Sequence, residues 1–269
     1  MDRPRPEPVR VARLAWLFFR VGAMNELQYR VNFVLQIFHS FLALGVGLAV
    51  LGLVFSHTTA LRGWTRPELL AVMGVHILMG GLIGVSIQPN MSRLMEDVRQ
   101  GTLDYALTKP EDAQVLVSVR EVRIWKVVDV LIGAILLAVA VVQLQRGVGF
   151  WDAFAFAVAL VLGGLIIYSF WLALACLAFW VVRIWETVEL FEGVYQAGRW
   201  PVGIYPGWLR IGLTFLVPLA FAITVPARAV TSRLGASSLL AAAIFTVVIL
   251  ALARWLWTVG LHRYSGASA

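Results

Sequence analysis

Lysine, cysteine and histidine are scarce in this chain, and each scarcity excludes a kind of chemistry. There are only two lysines, Lys109 and Lys126, and neither completes the Gly-x-x-x-x-Gly-Lys-Ser/Thr loop that binds nucleotide phosphates. The single cysteine, Cys176, cannot form an intrachain disulfide and has no acid–base partner within sequence reach. The four histidines do not have the spacing of metal ligands. The sequence therefore predicts no catalytic residue, no metal site and no cofactor held by this chain.

Charge is also scarce, and apolar residues take its place. Of 269 residues only 14% are charged and 60% are hydrophobic, with a mean hydropathy of +0.83. Apolar runs longer than the roughly 18 residues needed to cross a bilayer recur along the chain. An all-α, polytopic membrane protein is expected. The net charge of +7 comes from basic residues beside the apolar runs, which indicates contact with membrane lipid and not with nucleic acid. No signal peptide is expected, because arginines interrupt the first thirty residues.

Six membrane-spanning helices are expected from the hydropathy pattern. The five clear spans cover about 31–55, 67–88, 124–144, 151–182 and 238–259. The remaining span is ambiguous, because residues 183–200 have a helical pattern but carry three glutamates. Residues 208–227 are more apolar, but Pro218 and Pro226 interrupt them.

The N-terminal part and the distribution of positive charge predict the orientation. Residues 1–30 are expected to form a disordered Pro-rich tail and an interfacial helix over 9–29, and residues 31–269 a single transmembrane domain. Residues 1–30 and 89–126 carry six Lys or Arg each, whereas the loops 56–66 and 145–150 together carry three. Because cytoplasmic loops are enriched in positive charge, both termini and the 89–126 segment are predicted to face the cytoplasm.

The segment 89–126, here called the polar island, is the one long charged loop between spans. Its first part, 91–100, has the pattern of a short charged helix that Gly101 is suited to end. Leu103, Tyr105 and Leu107 then alternate with polar residues. Apolar anchors inside a charged rim are typical of a docking surface. The alternative is that the island only links two spans and interacts with water.

The run from Glu96 to Pro110 follows the pattern Glu-Asp-x-Arg-x-Gly-x-Leu-Asp-x-x-Leu-x-Lys-Pro. This pattern resembles the hallmark of permease subunits of bacterial ATP-binding-cassette (ABC) type 2 transporters. The later stretches 199–210, 215–221 and 226–227, and the ending 260–267, are similar to that family in the same order.

The resemblance implies a fold. A cytoplasmic coupling region would cover 89–123, and a re-entrant helical hairpin would cover 203–232 on the outer side. The fifth span would then be roughly 186–200, although hydropathy alone favours 208–227. The residues implied for the re-entrant element are Pro201, Tyr205, Pro206, Pro218 and Pro226.

The resemblance also implies a function. The chain would be the permease of an exporter in the bacterial inner membrane, forming the translocation path with a second permease as a homodimer or heterodimer. Separate ATPase subunits, which hold ATP and Mg²⁺, would drive it. The residues implied to contact the ATPase are Glu96, Asp97, Arg99, Gly101, Leu103, Asp104, Tyr105, Lys109 and Pro110.

Glu186, Glu189 and Glu192 recur every three residues, which places them on one broad face of a helix. They either line the translocation path or pair with cations, for which Arg183, Arg199 and Arg254 are the candidates.

Three smaller features of the spans predict helix packing. His76 and Asp129 are expected to be satisfied polar groups between helices, and Gly80 and Gly84 form a Gly-x-x-x-Gly packing pair.

Two other functions stay open on sequence grounds. An ion-coupled secondary transporter would use the three glutamates and need no ATPase. A membrane scaffold would bind a partner at the island without responding to nucleotide.

Overall fold

The structure, a computed structural model, describes residues 20, 24, 30–145, 147, 149–181 and 185–264, and only the backbone of 30, 32 and 185–188. The predicted tail and interfacial helix lie outside the described residues, Arg20 and Met24 excepted. Every regular element in the described part is helical, which confirms the all-α prediction. The α-helices are α1 (Arg30–His57), α2 (Arg66–Leu82), α3 (Gln88–Gln100), α4 (Asp104–Leu107), α5 (Ala113–Ser118), α6 (Val127–Gln143), α7 (Phe150–Cys176), α8 (Trp185–Tyr195), α9 (Gly207–Ile211), α10 (Val225–Val230) and α11 (Ala236–Arg263).

Short 3₁₀ and π segments extend or join these helices. The 3₁₀ turns are Ile124–Lys126, Leu177–Phe179, Gln196–Arg199 and Val202–Ile204, and the π segments are Ile83–Ile87, Gly212–Leu216 and Ala220–Thr224. In the described residues, five helices are long and apolar enough to cross a membrane. They are Phe33–His57, Arg66–Gln100, Ile124–Gln143, Phe150–Phe179 and Ala236–Arg263. The chain is therefore a multi-pass membrane protein, as the hydropathy predicted.

The second span does not end where the sequence suggested. A span over 67–88 and a separate helix over 91–100 were expected, but Arg66–Gln100 is one helical run of 35 residues. Pro89 would ordinarily stop such a run, because it has no N–H to donate to Val85 and its ring crowds that carbonyl. The helix widens into the π segment Ile83–Ile87 just before Pro89. The Val85 carbonyl accepts the Arg123 N–H instead, at 2.9 Å, so the helix continues with that carbonyl satisfied.

Helices α2 and α6 pack with their backbones in contact. A Cβ atom on Gly133 would lie 2.3 Å from the Leu78 nitrogen, and one on Gly81 would lie 2.6 Å from the Val130 nitrogen. Distances this short cannot be accommodated by a side chain, so these positions require glycine. In the most apolar 18 residues of the α2 run, 67% of the residues are buried, compared with 17% in the corresponding stretch of α1. The α2 run is thus the core of the fold, and α1 lies at its edge.

The region between α7 and α11 contains a short helix and a bent pair. Helix α8 has 11 residues and its 3₁₀ extension has four, about 24 Å in all at 1.5 Å per α-helical and 2.0 Å per 3₁₀ residue. This described length is less than the ~30 Å of hydrocarbon, and the run is not among the five helices named above. The segments Gly207–Leu216 and Ala220–Val230 meet at an angle of 83°, with Pro218 between them. The described residues contain six candidate spans if this pair counts as one.

Candidate functional site

The polar island is a closed loop whose two limbs are joined at the base. Asn90, which is fully buried, donates through Nδ2 to the carbonyls of Ser86 (2.6 Å) and Glu121 (2.8 Å). Its Oδ1 accepts the Glu121 N–H at 2.9 Å. The Asn90 side chain therefore joins the two limbs through hydrogen bonds to the backbone of each. The island is held as a rigid extension of the second and third spans.

Asp97 is the central charge of the island, and it points inward. Its side chain is only 4% exposed and receives a charge-assisted hydrogen bond from Arg120, whose side chain is 20% exposed. Arg93 Nε lies 3.2 Å from Oδ1, and Thr102 Oγ1 donates to the same oxygen at 3.1 Å. A buried carboxylate is tolerated when it is paired and hydrogen-bonded in this way. Asp97 joins the two limbs and does not present a surface.

The island ends in an exposed tip. Gly101 has a φ of 71°, the left-handed conformation that ends helices, as the sequence predicted. The chain then turns into α4, where Leu103 is fully buried and Ala106 is 2% exposed. Tyr105 points the other way and is 77% exposed. A large aromatic side chain left in solvent on a rigid support is the composition of a docking surface.

The nine residues implied to contact an ATPase thus fall into three groups. Arg99, Tyr105, Lys109 and Pro110 are exposed, and Glu96, Gly101 and Asp104 are half-buried. Glu96 is joined to Arg99 by a two-point contact, 2.6 Å and 2.9 Å. Asp97 and Leu103 are buried inside the island.

The far limb of the island is tied to two membrane helices. Arg254 of α11 donates to Asp112 at 2.8 Å and to Gln114 at 2.5 Å. Tyr168 of α7 shares a 2.8 Å hydrogen bond with Ser118. Burial raises the pKa of Asp112, but the bond and charge of Arg254 and the backbone N–H of Gln114 outweigh it, so the pKa lies below its ordinary value. Asp112 is therefore ionised at neutral pH and holds α11 to the island.

A cavity of about 360 Å³ lies among the candidate membrane-spanning helices. Its wall is built from α1, α2, α6, α7 and α8, and it reaches the surface of the chain. The volume is within the range of roughly 300–1,000 Å³ typical of small-molecule sites. Its apolar side includes Leu44, Ile77, Trp171 and Phe191.

Four charged side chains line this cavity: Lys126, Asp129, Glu192 and Arg199. Lys126 and Asp129 neutralise each other at 3.3 Å. Glu192 accepts from Gln88 at 2.5 Å, and Arg199 donates to Gln196 at 2.9 Å, so each has a neutral partner. Among the described residues, neither Glu192 nor Arg199 forms an ion pair.

The three predicted glutamates differ in their outcome. Both Glu189 and Glu192 are exposed, but only Glu192 of these two lines the cavity. The side chain of Glu186 and all of Arg183 lie outside the described residues. Arg254, a candidate partner of these glutamates, is paired with Asp112 instead. That part of the ion-pair prediction is wrong, because the island contacts α11 at Arg254 and supplies the carboxylate.

The two polar residues predicted between helices also differ. Asp129 is satisfied, as expected, by Gln36, Ser40 and Lys126. His76 stacks on Tyr195 with ring centroids 4.6 Å apart, but its buried Nδ1 has no partner in the described residues. The prediction for His76 is wrong in that respect.

The Gly80–Gly84 pair does not bring two helix backbones together. A Cβ on Gly80 would meet the Tyr195 ring at 3.2 Å, and one on Gly84 would meet the Lys126 side chain at 3.1 Å. Both glycines make room for side chains at the cavity. The backbone contacts belong to Gly81 and Gly133.

The residues implied for a re-entrant element lie in and beside the bent pair. Pro201, Pro218 and Pro226 are buried, Pro206 precedes α9, and Tyr205 donates through its hydroxyl to the Ala197 carbonyl at 2.8 Å. Beyond the pair, Arg233 donates to both oxygens of the buried Glu68, at 2.8 Å each. This ion pair joins the bent pair to the start of α2.

Several residues of the site were not identified from the sequence. Asn90, Arg120, Asp112 and Gln114 organise the island, yet none belongs to the hallmark pattern. The only feature of the sequence that pointed to these residues was their position in a charged loop that connects two adjacent spans. For the cavity, the signal was a set of polar residues at matching depths in several spans.

Comparison with protein families gives one result for the chain as a whole. The family model described as "ABC-2 family transporter protein" matches residues 41–268, which is most of the chain. The match includes the island, the cavity-lining helices α2, α6, α7 and α8, and the bent pair. No match was found among curated proteins or among solved structures.

Proposed function

The chain belongs to the ABC-2 family of transporter membrane proteins, and from that premise we propose that it is the permease subunit of an ABC exporter. It works with a second permease, identical or related, and with cytoplasmic ATPase subunits that hold ATP and Mg²⁺. Its location is the bacterial inner membrane, with both termini on the cytoplasmic side. The single observation that carries the proposal is the exposed tip of the polar island on its rigid base.

The ATPase contact is proposed at that tip. Tyr105 and Pro110 supply apolar contact, and Arg99 and Lys109 supply charge, while Glu96, Gly101 and Asp104 border them. The two buried residues act indirectly, since Asp97 and Leu103 fix the shape of the tip. Nucleotide alters the permease only if the ATPase holds the tip differently in its two states.

The translocation path is proposed at the polar cavity. Polar and charged groups at membrane depth are rare and are found where a path or site requires them. The cavity lies beside α1, whose outward residues Phe33, Phe38 and Phe41 are exposed and apolar. A second permease seated there would close its open side. The bent pair is proposed as the re-entrant element over 203–232 on the outer side, with 186–200 as the fifth span.

Copurification tests the ATPase contact. Tyr105→Ala should reduce recovery of the ATPase with the tagged permease by about tenfold, as for a central interface aromatic. Trp208→Ala is the matched control, because Trp208 is 76% exposed and lies on the bent pair. It should leave recovery unchanged.

Two results would contradict the proposal. Equal recovery of ATPase with the Tyr105 variant and the wild type would remove the tip as the contact. Transport in liposomes driven by a proton gradient, with no ATPase present, would favour an ion-coupled secondary transporter.

A further inference from the structure

The cavity contains one cation, Arg199, and one anion, Glu192, for which the described part of the chain supplies no ionic partner. Arg199 and Glu192 are separated by seven residues, which places them on one face of the helical run that begins with α8. Glu192 lies in α8 and Arg199 in its 3₁₀ extension, so at 1.5 Å and 2.0 Å per residue their Cα atoms are about 12 Å apart along the axis. Both side chains line the same cavity.

These two charges lie at different depths. Glu192 bonds to Gln88 at the cytoplasmic end of the second span. Arg199 lies four residues beyond Tyr195 in the same helical run. The Tyr195 hydroxyl donates to the His76 carbonyl, near the middle of α2. The cation is therefore deeper in the membrane than the anion. A charge at that depth is costly unless an opposite charge meets it.

The cavity as a whole is electrically balanced, which decides what ligand fits. Lys126 and Asp129 cancel each other, and Arg199 and Glu192 are left. A ligand with one negative charge would neutralise Arg199 but leave Glu192 unpaired, and a ligand with one positive charge would do the reverse. Only a ligand that carries both charges satisfies both side chains.

Two other features of the cavity wall restrict which ligand fits. His76 is 6% exposed, and its buried Nδ1 has no hydrogen-bond partner among the residues that the structure describes. Leu44, Ile77 and Phe191 form an apolar side continuous with the exposed apolar face of α1. A polar headgroup fits the charged side, and a hydrocarbon tail fits the apolar side.

We infer that this cavity binds a zwitterionic amphiphile, with its acidic group on Arg199 and its ammonium group on Glu192. The ligand's tail lies along α1. The inference rests on the proposed function only for the role of this ligand as cargo, because binding itself needs neither ATPase nor transport.

Three probes with the same twelve-carbon chain test the inference: dodecylphosphocholine, dodecyl phosphate and dodecyltrimethylammonium. The full chain is reconstituted in nanodiscs of phosphatidylglycerol, which supplies no competing zwitterion, and empty discs are the blank. Radiolabelled dodecylphosphocholine is bound below its micellar concentration and displaced by the other two. The wild type should bind the zwitterion about tenfold or more tightly than either singly charged probe.

Two variants test the contributions of the Arg199 and Glu192 charges separately. Arg199→Gln should weaken dodecylphosphocholine and dodecyl phosphate by about tenfold but spare dodecyltrimethylammonium, and Glu192→Gln should weaken the zwitterion and the cation but spare the anion. Arg263→Gln and Glu121→Gln make the same charge changes at exposed positions that do not line the cavity, and they should alter nothing. Arg199→Lys and Glu192→Asp keep each charge and should retain most of the binding.

Each other outcome overturns the inference. A wild type that prefers the anion or the cation assigns a different ligand class, and equal or negligible binding of all three probes removes the site. Loss of binding in both charge-conserving variants would mean that the shape of these side chains, and not their charge, determines binding. A positive binding result with no ATPase copurifying would refute the proposed function and leave this site intact.

Discussion

Replacement of Asp97 by asparagine tests whether this residue organises the island or contacts a partner. The substitution keeps the shape of the side chain and its ability to accept from Thr102, but it removes the charge that faces Arg120. The Arg120 side chain is 20% exposed, so its charge would be left largely buried and unpaired. Removing one partner of a buried ion pair costs about 3–5 kcal/mol, and the residual exposure of Arg120 favours the lower end, about 3 kcal/mol.

The assay is thermal unfolding of the purified permease in one detergent. A loss of about 3 kcal/mol corresponds to a decrease in Tm of roughly 6–12 °C for a chain of this size. Arg93, which is 55% exposed, should contribute little, so Arg93→Gln serves as the control within the same network. Adding Arg120→Met to Asp97→Asn should recover part of the loss, because the uncompensated charge is then gone.

One result would refute this reasoning. If Asp97→Asn melts at the wild-type temperature yet no longer retains the ATPase, then Asp97 is a direct contact. The inward-pointing Asp97 side chain would then not be its conformation when the ATPase is bound.

Two further predictions concern packing and pH. Gly133→Ala should destabilise the protein by about 1–3 kcal/mol, because its Cβ would lie 2.3 Å from the Leu78 nitrogen. Gly164→Ala, with nothing within 4 Å, should be neutral or slightly stabilising in the same melt, and equal effects would disprove the close approach. Since the pKa of Asp112 is lowered in the folded state, its contribution to stability is present above its unfolded pKa and is lost as pH falls through the folded one. The fall in Tm below pH ~4 should therefore be smaller in Asp112→Asn, and an identical pH profile would show that its bond to Arg254 contributes nothing.

The sequence predicted the spans well because membrane crossing depends on the summed hydropathy of about twenty residues. The ends of the first, third, fourth and last spans were within four residues of the observed helices. The helix stop at Gly101 was also found, since only local backbone geometry decides it. The second span was cut short because Pro89 ordinarily ends a helix, and the Arg123 N–H, which donates to the Val85 carbonyl in place of the missing Pro89 N–H, is far along the chain.

The site was harder to predict because its charges pair over long distances in sequence. Asp97 and Leu103 belong to the hallmark pattern, and the pattern alone cannot say which members face inward. Glu192 and Arg199 were identified as charges at membrane depth. Their shared cavity depends on α1 and α2, which no local pattern connects to α8.

The uninterrupted run Arg66–Gln100 has a mechanical consequence. It is 35 residues long, about 52 Å at 1.5 Å per residue, and an ion pair anchors it near each end. Backbone contact with α6 at Gly81 and Gly133 holds the run near its middle, so that the run can tilt about this point. A tilt of roughly 10° about that point would move each end by about 4.5 Å in opposite directions. A force that moves the Asp97 end of the run would then shift Glu68 in the opposite direction, and with it its ion-pair partner Arg233 beside the bent pair.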